Sequence, residues 1–268
     1  SVKGETKKGT SESQRIIDIT VEEKPTGEIS LGAGVGTDGN SIGFAVSENN
    51  YLGKAIKLQS SLRLTQDTIR GLFSVTNPDW RSSGRSLSTS IQATEIDKLS
   101  DSGYKTNKTG FSLGTKFEQY EDIFLSPRFS LSTEKLETNN SASSNLKKQE
   151  GNYSDLNFSY AVDYDMRNQK FMATDGFKST FFQKLPVISD SYTIINGYEF
   201  IKYYKLPNDM VTRFSIYGRA ANALQSDKDV RVSDRIRLPS KKLKGFQTTK
   251  VGPVDNGDYV GGNYSTSL

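Results

Sequence analysis

Apolar and polar residues alternate with a period of two along most of this chain. Four segments show the pattern clearly, and the residues between the apolar positions are mainly Ser, Thr, Asn, Gln, Gly, Lys and Arg. The apolar positions are Ile56, Leu58, Leu62 and Leu64; Ile69, Phe73 and Val75; Phe111, Leu113 and Phe117; and Leu156, Phe158, Tyr160, Val162 and Tyr164. Such alternation predicts strands with one apolar face and one polar face. No long segment has the spacing and caps of a helix.

Turn-forming residues separate the alternating segments, for example Asp38-Gly39-Asn40, Asn77-Pro78-Asp79 and Asp175-Gly176. The spacing predicts about eleven or twelve strands between residues 28 and 268, each about ten residues or longer, which is enough to cross a bilayer when tilted. Residues 138–152 and 224–259 are expected to be irregular. Near the start, residues 3–14 are expected to be loop and residues 15–23 one short strand.

The same alternation is typical of a soluble β-sandwich, so strand length and polarity must decide between a sandwich and a membrane β-barrel. Sandwich strands are usually about five or six residues long. The polar faces here carry isolated Lys and Arg among small polar residues, whereas a water-facing sheet usually carries dense charge. A wet, crowded lumen suits this composition. The pattern therefore favours an all-β fold, a transmembrane antiparallel β-barrel.

The composition removes most enzyme chemistry. The 268 residues include neither His nor Cys, which excludes Ser–His and thiol catalysis, disulfides, and metal sites built on these ligands. The 35 basic and 31 acidic residues give a mixed net charge of +4, unlike a nucleic-acid-binding arm. No run of about 18 apolar residues is present for a membrane helix. We therefore expect no enzyme activity, no cofactor, no metal and no nucleic-acid partner.

An ordered set of motifs adds a more specific expectation. They are Val21-Glu22-Glu23 with Thr26-Gly27, the glycine-rich stretch that follows, Glu48-Asn49-Asn50-Tyr51-Leu52-Gly53, Asn77-Pro78-Asp79-Trp80, Tyr164-Asp165-Met166-Arg167-Asn168, Leu243-Lys244-Gly245-Phe246, Val251-Gly252-Pro253 and Val260-Gly261-Gly262-Asn263. Taken in this order they resemble the BamA family of outer-membrane protein assembly factors, within the POTRA–barrel insertase superfamily. The resemblance covers nearly the whole chain.

The resemblance implies two regions. Residues 1–26 would be the C-terminal end of a POTRA domain, and residues 27–268 would be an incomplete outer-membrane β-barrel without about four or five final strands. The implied location is the bacterial outer membrane. The implied function is the folding and insertion of other barrel proteins, so the partners would be nascent β-barrel proteins, accessory lipoproteins of an assembly complex and outer-membrane lipid.

The glycine-rich stretch is the first candidate site. Gly32, Gly34 and Gly36 alternate in a predicted strand, and no helix follows, so a phosphate-binding loop is excluded. The simple interpretation is a strand with little to pack on one face. The resemblance implies that this strand forms a lateral seam with the last barrel strand, which is among the absent strands, and that this seam can open sideways. The seam residues would be Ile29, Leu31, Gly32, Ala33, Gly34, Val35 and Gly36.

The second candidate site is an ordinary turn by pattern but a functional loop by resemblance. The family folds the tip of its long sixth loop back into the lumen, and the tip residues here would be Leu243, Lys244, Gly245, Phe246, Gly252 and Pro253. The family has Arg where this chain has Lys244. Lysine offers a point charge instead of a planar two-point grip on carboxylates. The expected acidic partners would lie in the absent strands.

The barrel interpretation also predicts which way side chains point. Expected to face lipid are Leu58, Leu62, Phe73, Phe111, Phe158 and Tyr160, while Lys57, Arg63, Arg70 and Lys116 should face the lumen. Three alternatives to an insertase stay open: a passive porin-type channel, a two-partner-secretion pore and an outer-membrane hydrolase. The absence of histidine disfavours the hydrolase.

Overall fold

The computed structural model describes residues 2–9, 11, 14–22, 24–36, 39–239, 241–247 and 250–268. Asp38 of the predicted turn at 38–40 lies outside the described residues, as does Glu23 of the first motif. So do positions 240, 248 and 249 of the predicted irregular stretch.

Strands dominate the described chain. In order they are β1 (Val2–Lys8), β2 (Arg15–Val21), β3 (Gly27–Gly36), β4 (Gly39–Tyr51), β5 (Ile56–Thr65), β6 (Thr68–Asn77), β7 (Ser86–Lys98), β8 (Tyr104–Tyr120), β9 (Ile123–Thr138), β10 (Gly151–Asp165), β11 (Gly176–Ser189), β12 (Thr193–Lys205), β13 (Val211–Ala223), β14 (Val254–Asp255), β15 (Asp258–Tyr259) and β16 (Tyr264–Ser267). Twelve of them, β3 to β13 and β16, form one antiparallel sheet in which chain neighbours pair, with β3 and β16 at its two edges. The predicted all-β fold and strand number are confirmed.

A separate hairpin of β1 and β2 precedes the sheet, with Val2 opposite Val21 and Lys8 opposite Arg15. The expectation of loop over residues 3–14 was therefore wrong for residues 3–8. Strand β1 has no apolar face, so alternation does not reveal it. Its backbone nevertheless completes a ladder with the apolar β2, and Lys7 Nζ lies 2.5 Å from Asp18 Oδ2.

Helical structure in the described ranges is confined to connections. It includes a 3₁₀ turn at Trp80–Ser82, α1 (Leu99–Ser102) and α2 (Ser144–Lys147). The Ser143 hydroxyl caps α2 by accepting a hydrogen bond from the Leu146 N–H. No helix in this part of the chain is both long and apolar enough to span a membrane.

One long connection lies against one face of the sheet. We call residues 224–263 the inner segment and the face that they contact the inner face. The register places Arg63 opposite Arg70 and Leu62 opposite Gly71, so alternate residues of β5 and β6 face opposite sides. Applied to every strand, the register puts all four predicted lumen residues on the inner face and all six predicted lipid residues on the outer face. The predicted separation of these residues into two opposite faces is confirmed.

The burial pattern is the reverse of that of a water-soluble sheet. Large apolar side chains stay exposed on the outer face, including Phe73, Ile91 and Leu131. Buried apolar side chains instead lie between the inner segment and the inner face, in two clusters. The first contains Tyr104, Leu136, Ala142, Leu146, Val232 and Val260, and the second Ala221, Val230 and Ile236. An apolar outer face is what a lipid environment requires.

Candidate functional site: the edge strand and the inner segment

Strand β3 contains every predicted seam residue and is an edge strand. It pairs with β4 through partners such as Leu31 with Phe44 and Ala33 with Ile42. No described strand pairs with its second edge. An open edge presents backbone N–H and C=O groups that can pair with another strand.

Glycines weaken the pairing of β3 with β4. Gly32 lies opposite Gly43, so neither side contributes a side chain to that pair, and Gly34 lies opposite Ser41. A cross-strand side-chain pair typically contributes about 0.2–1 kcal/mol, and the glycine positions forgo that contribution. Ile29, Leu31 and Val35 point outward and are strongly exposed. Gly36 is the last residue of the strand.

Arg231 joins the inner segment to the inner face. Its Nη2 atom lies 2.7 Å from Asp155 Oδ2, 3.0 Å from Asp234 Oδ2 and 3.4 Å from Glu134 Oε2. The side chains of Arg231, Asp155 and Glu134 are each at most 3% exposed. The guanidinium also lies over the ring of Tyr153, 4.4 Å from its centroid.

Two lysines complete this buried charge cluster. Lys184 Nζ lies 2.9 Å from Asp234 Oδ1, and Lys108 Nζ lies 3.5 Å from Glu134 Oε2. Burial alone would raise the pKa of Asp234. The positive charges of Lys184, Arg231 and Lys108 overcome that effect and lower the pKa of Asp234 to about 2. Three cations thus balance three carboxylates, which buried charges require.

Arg231 contacts the carboxylates through only one nitrogen of its guanidinium group. Nη2 makes all three carboxylate contacts, whereas Nε and Nη1 are buried and have no hydrogen-bond partner among the described residues. Buried donors without partners reduce the net stabilisation that a contact provides. The attachment therefore depends on charge balance more than on a full set of hydrogen bonds.

Immediately before the predicted loop tip, a second contact attaches the inner segment to the inner face. Lys242 forms an ion pair with Glu199 of β12 and lies over the ring of Tyr217 of β13, both on the inner face. Leu243 is half-buried, whereas Lys244, Gly245 and Phe246 are exposed. The structure therefore brings the base of the tip to the inner face through Lys242, a residue that the motif comparison did not single out.

Gly252 and Pro253 lead into a second hairpin on the inner segment, formed by β14 and β15. Asn256 and Gly257 both have positive φ, 50° and 89°, as a two-residue type I′ turn requires. The Val260 N–H donates to the Pro253 carbonyl at 3.1 Å. Gly252 and Pro253 therefore lie at a hairpin base and are separate from the tip at residues 243–246.

This hairpin is fixed to the connection between β9 and β10. Ser143 donates to Asp255 Oδ2 at 2.6 Å, and the Asn256 amide donates to the Ser141 carbonyl at 3.0 Å. Burial, followed by the nearby charge of Asp255, raises the pKa of Asp258. The sequence predicted a polar loop at 138–152, but Ala142 and Leu146 are buried beneath the inner segment.

Sequence comparison identifies the family. The profile of the Omp85 superfamily domain matches residues 50–268. The chain belongs to the Omp85 superfamily. An antiparallel sheet with an apolar outer face agrees with this assignment, and the chain is an outer-membrane β-barrel region.

Two relatives add detail. The chain is 23% identical over 256 residues to the outer membrane protein assembly factor BamA of Neorickettsia risticii (strain Illinois), a match that covers 93% of this chain and 34% of the relative. The fold is similar to that of BamA from Haemophilus ducreyi lacking POTRA domains 1–3. That match has a TM-score of 0.81 at 20% identity and covers 99% of this chain and 56% of the other. The chain thus spans about a third of one relative and about half of the other.

Proposed function

We propose that this chain takes part in folding and inserting β-barrel proteins into the bacterial outer membrane. The observation that carries the proposal is the glycine-rich strand β3, in which Gly32 lies opposite Gly43 and neither residue contributes a side chain to the pair. The proposal is also supported by the similarity of the chain to the relative from Neorickettsia risticii, which is named as an outer membrane protein assembly factor.

In the proposed mechanism, β3 is a template for an incoming strand. When the seam beside β3 opens, the client strand pairs with the backbone edge that is freed, and its alternate side chains then lie on the lipid side and the inner side. Gly32 and Gly34 contribute no side chain to a cross-strand pair, so the seam at this strand would be the easiest to part. Local thinning of the bilayer beside the edge lowers the barrier to insertion. The mechanism requires no covalent chemistry and no cofactor, so the chain would not be an enzyme.

Other parts of the chain have supporting roles in this proposal. Residues 1–26 would be the end of a POTRA domain that leads into the barrel. The tip at Leu243 to Phe246 would lie inside the bore, held near β12 and β13 by the Lys242–Glu199 pair. The partners would be nascent outer-membrane β-barrel proteins, accessory lipoproteins and outer-membrane lipid.

Disulfide capture tests the template directly. Ala33→Cys places a thiol on β3, and Ile91→Cys places one on the outer face of the interior strand β7 as a control. During client insertion into liposomes, cysteines in the terminal strand of the client should cross-link to position 33 and not to position 91. Equal capture at both positions, or ion conductance without insertion, would favour a passive channel.

A further inference from the structure

Two arginines face each other on the inner face near the edge strand. The register puts Arg63 of β5 directly opposite Arg70 of β6. We call them the arginine pair. Across the sheet, the next partners in line with this pair are Thr94 of β7 and Lys108 of β8 on one side. On the other side they are Gly43 of β4 and Gly32 of β3. Like charges directly opposite each other destabilise a strand pair.

The arginine pair makes no ion pair with any described carboxylate, and both side chains are exposed. Three lysines of the inner face do have carboxylate partners. Lys184 is paired with Asp234, and both Lys116 and Lys178 lie within 4.0 Å of Asp163. From β4 to β7, the register places no Asp or Glu at an inward position, and the inward carboxylate of β3, Glu28, lies four residues along the strand from Gly32, which is in line with the arginine pair. Positive charge on this part of the inner face is therefore unbalanced.

A trough of about 500 Å³ connects Arg63 to the edge strand. Small inward-facing residues form its floor, chiefly Gly32, Gly34, Ser41, Gly43 and Ser61. A Cβ atom built on Gly32 or Gly43 would meet nothing within 4 Å, so the space above both glycines is open. The trough can therefore accept an extended chain close to the backbone of β3 and β4.

We propose that the arginine pair and the trough bind an acidic, extended polypeptide segment, with its carboxylates on Arg63 and Arg70. This inference rests on the proposed function, because it names the chemistry of the chain that enters beside β3. The missing negative charge is the first argument. The second is that the trough lies beside β3, the strand at which the proposed function places an incoming polypeptide.

An anionic lipid fits this surface less well. Its acyl chains need an extended apolar surface, and most apolar side chains of β3 to β6 point to the outer face. The inner positions beside the arginine pair are Ser, Gly, Ala and Thr, together with Leu72 of β6, which lies opposite Ser61. An acidic segment would remove the repulsion between the two guanidinium groups while its strand pairs at the edge.

A binding measurement on the full chain in zwitterionic detergent tests the inference. The probes are a fluorescent ten-residue peptide with Glu at alternate positions and the same peptide with Gln. We expect the Glu peptide to bind about tenfold more tightly at low salt and to lose most of that preference at high salt. The double variant Arg63→Gln/Arg70→Gln should lose the preference, and Arg63→Lys/Arg70→Lys should keep most of it.

A control variant with the same net charge distinguishes an effect of the arginine pair from an effect of the overall charge of the protein. Arg81→Gln/Arg85→Gln removes the same two charges from the connection before β7 and should leave the preference unchanged. The Arg63→Gln/Arg70→Gln protein should unfold at the same or a higher temperature, because repulsion is removed. Equal binding of Glu and Gln peptides, or an unchanged preference in the arginine-pair variant, overturns the inference. So does arginine-dependent binding of phosphatidylglycerol vesicles together with no Glu preference.

Client insertion into liposomes distinguishes this inference from the proposed function. Normal Glu-peptide binding by a protein that inserts no client supports the surface and contradicts the proposed function. Normal insertion combined with no Glu preference overturns the surface and leaves the proposed function standing.

Discussion

Arg231 Nη2 lies 2.7 Å from Asp155 Oδ2, although 76 residues separate the two along the chain. This contact joins the inner segment to the middle of the sheet. Because both side chains are nearly fully buried, each charge depends on the other for compensation. Removing either partner would leave the other charge buried without compensation, so the contact holds the inner segment in place.

Arg231→Met should destabilise the protein strongly. The substitution leaves Asp155, Asp234 and Glu134 buried with one cation fewer, and breaking a buried pair from one side typically costs about 3–5 kcal/mol. Arg231→Lys should cost less, because it keeps the charge. Denaturant unfolding in detergent measures both changes.

The exposed Lys228, three residues earlier on the inner segment, provides the control. Lys228→Met should change the free energy of unfolding by no more than about 0.5 kcal/mol. Similar losses for Arg231→Met and Lys228→Met would show that the buried cluster does not hold the segment.

Acid should weaken the attachment of the inner segment through Asp234. Its folded-state pKa of about 2 lies below the ordinary value, so its ionised form stabilises the folded protein. That stabilisation is fully present above about pH 4 and is lost as the pH falls toward 2, with a magnitude of roughly 2 kcal/mol. The facing groups are Lys184, Arg231 and Lys108, together with the carboxylates of Glu134 and Asp155.

Asp234→Asn isolates this contribution from the other carboxylates. At pH 6 the variant should be less stable than the parent protein, and the difference should shrink by roughly 2 kcal/mol by pH 2. Denaturant unfolding at several pH values gives the comparison. A difference that stays constant with pH would assign the acid sensitivity to other groups.

The sequence alone predicted the strands of the large sheet and their faces, because the alternation in those strands is a local signal, which β1 lacks. Leu62 and Arg63 point to opposite sides in any register that keeps the alternation. The buried charge cluster has no such signal. Glu134 and Asp155 lie on mainly polar strand faces where nothing in the local sequence marks them, and only the fold brings Arg231 to them. Leu146 was missed for a similar reason, since it is one apolar residue in a polar stretch whose covering segment comes about a hundred residues later.

A matched pair of substitutions on β6 tests the two faces. Phe73 points outward and Ser74 inward. Phe73→Arg should cost about 2–4 kcal/mol in a bilayer, because the charge enters hydrocarbon, whereas Ser74→Arg enters the polar side. Folding yields and unfolding free energies in lipid vesicles should therefore differ between the two variants. Equal effects would contradict the assignment of the outer face to lipid.

Chemical labelling tests the position of the loop tip. If the tip lies inside the bore as proposed, Lys244→Cys in intact cells should react slowly with a bulky impermeant maleimide. Adding Lys242→Gln removes the ion pair with Glu199 and should raise the rate several-fold. Cys introduced at Lys54, in the exposed connection between β4 and β5, reports on reagent access to the opposite side. Rapid labelling at position 244 without the second substitution would place the tip outside.

The anchoring of the β14–β15 hairpin has a consequence for the order of folding. Ser143 and Asp255 are 112 residues apart, and Tyr104 and Arg237 are 133 residues apart. Contacts at such separations form late, because the intervening chain must be ordered before they compensate for the loss of its freedom. Strands β8 to β10 must therefore be in place before the inner segment can settle on them. Docking of the inner segment therefore depends on correct assembly of these strands: if they pair incorrectly, the surface that the segment contacts does not form.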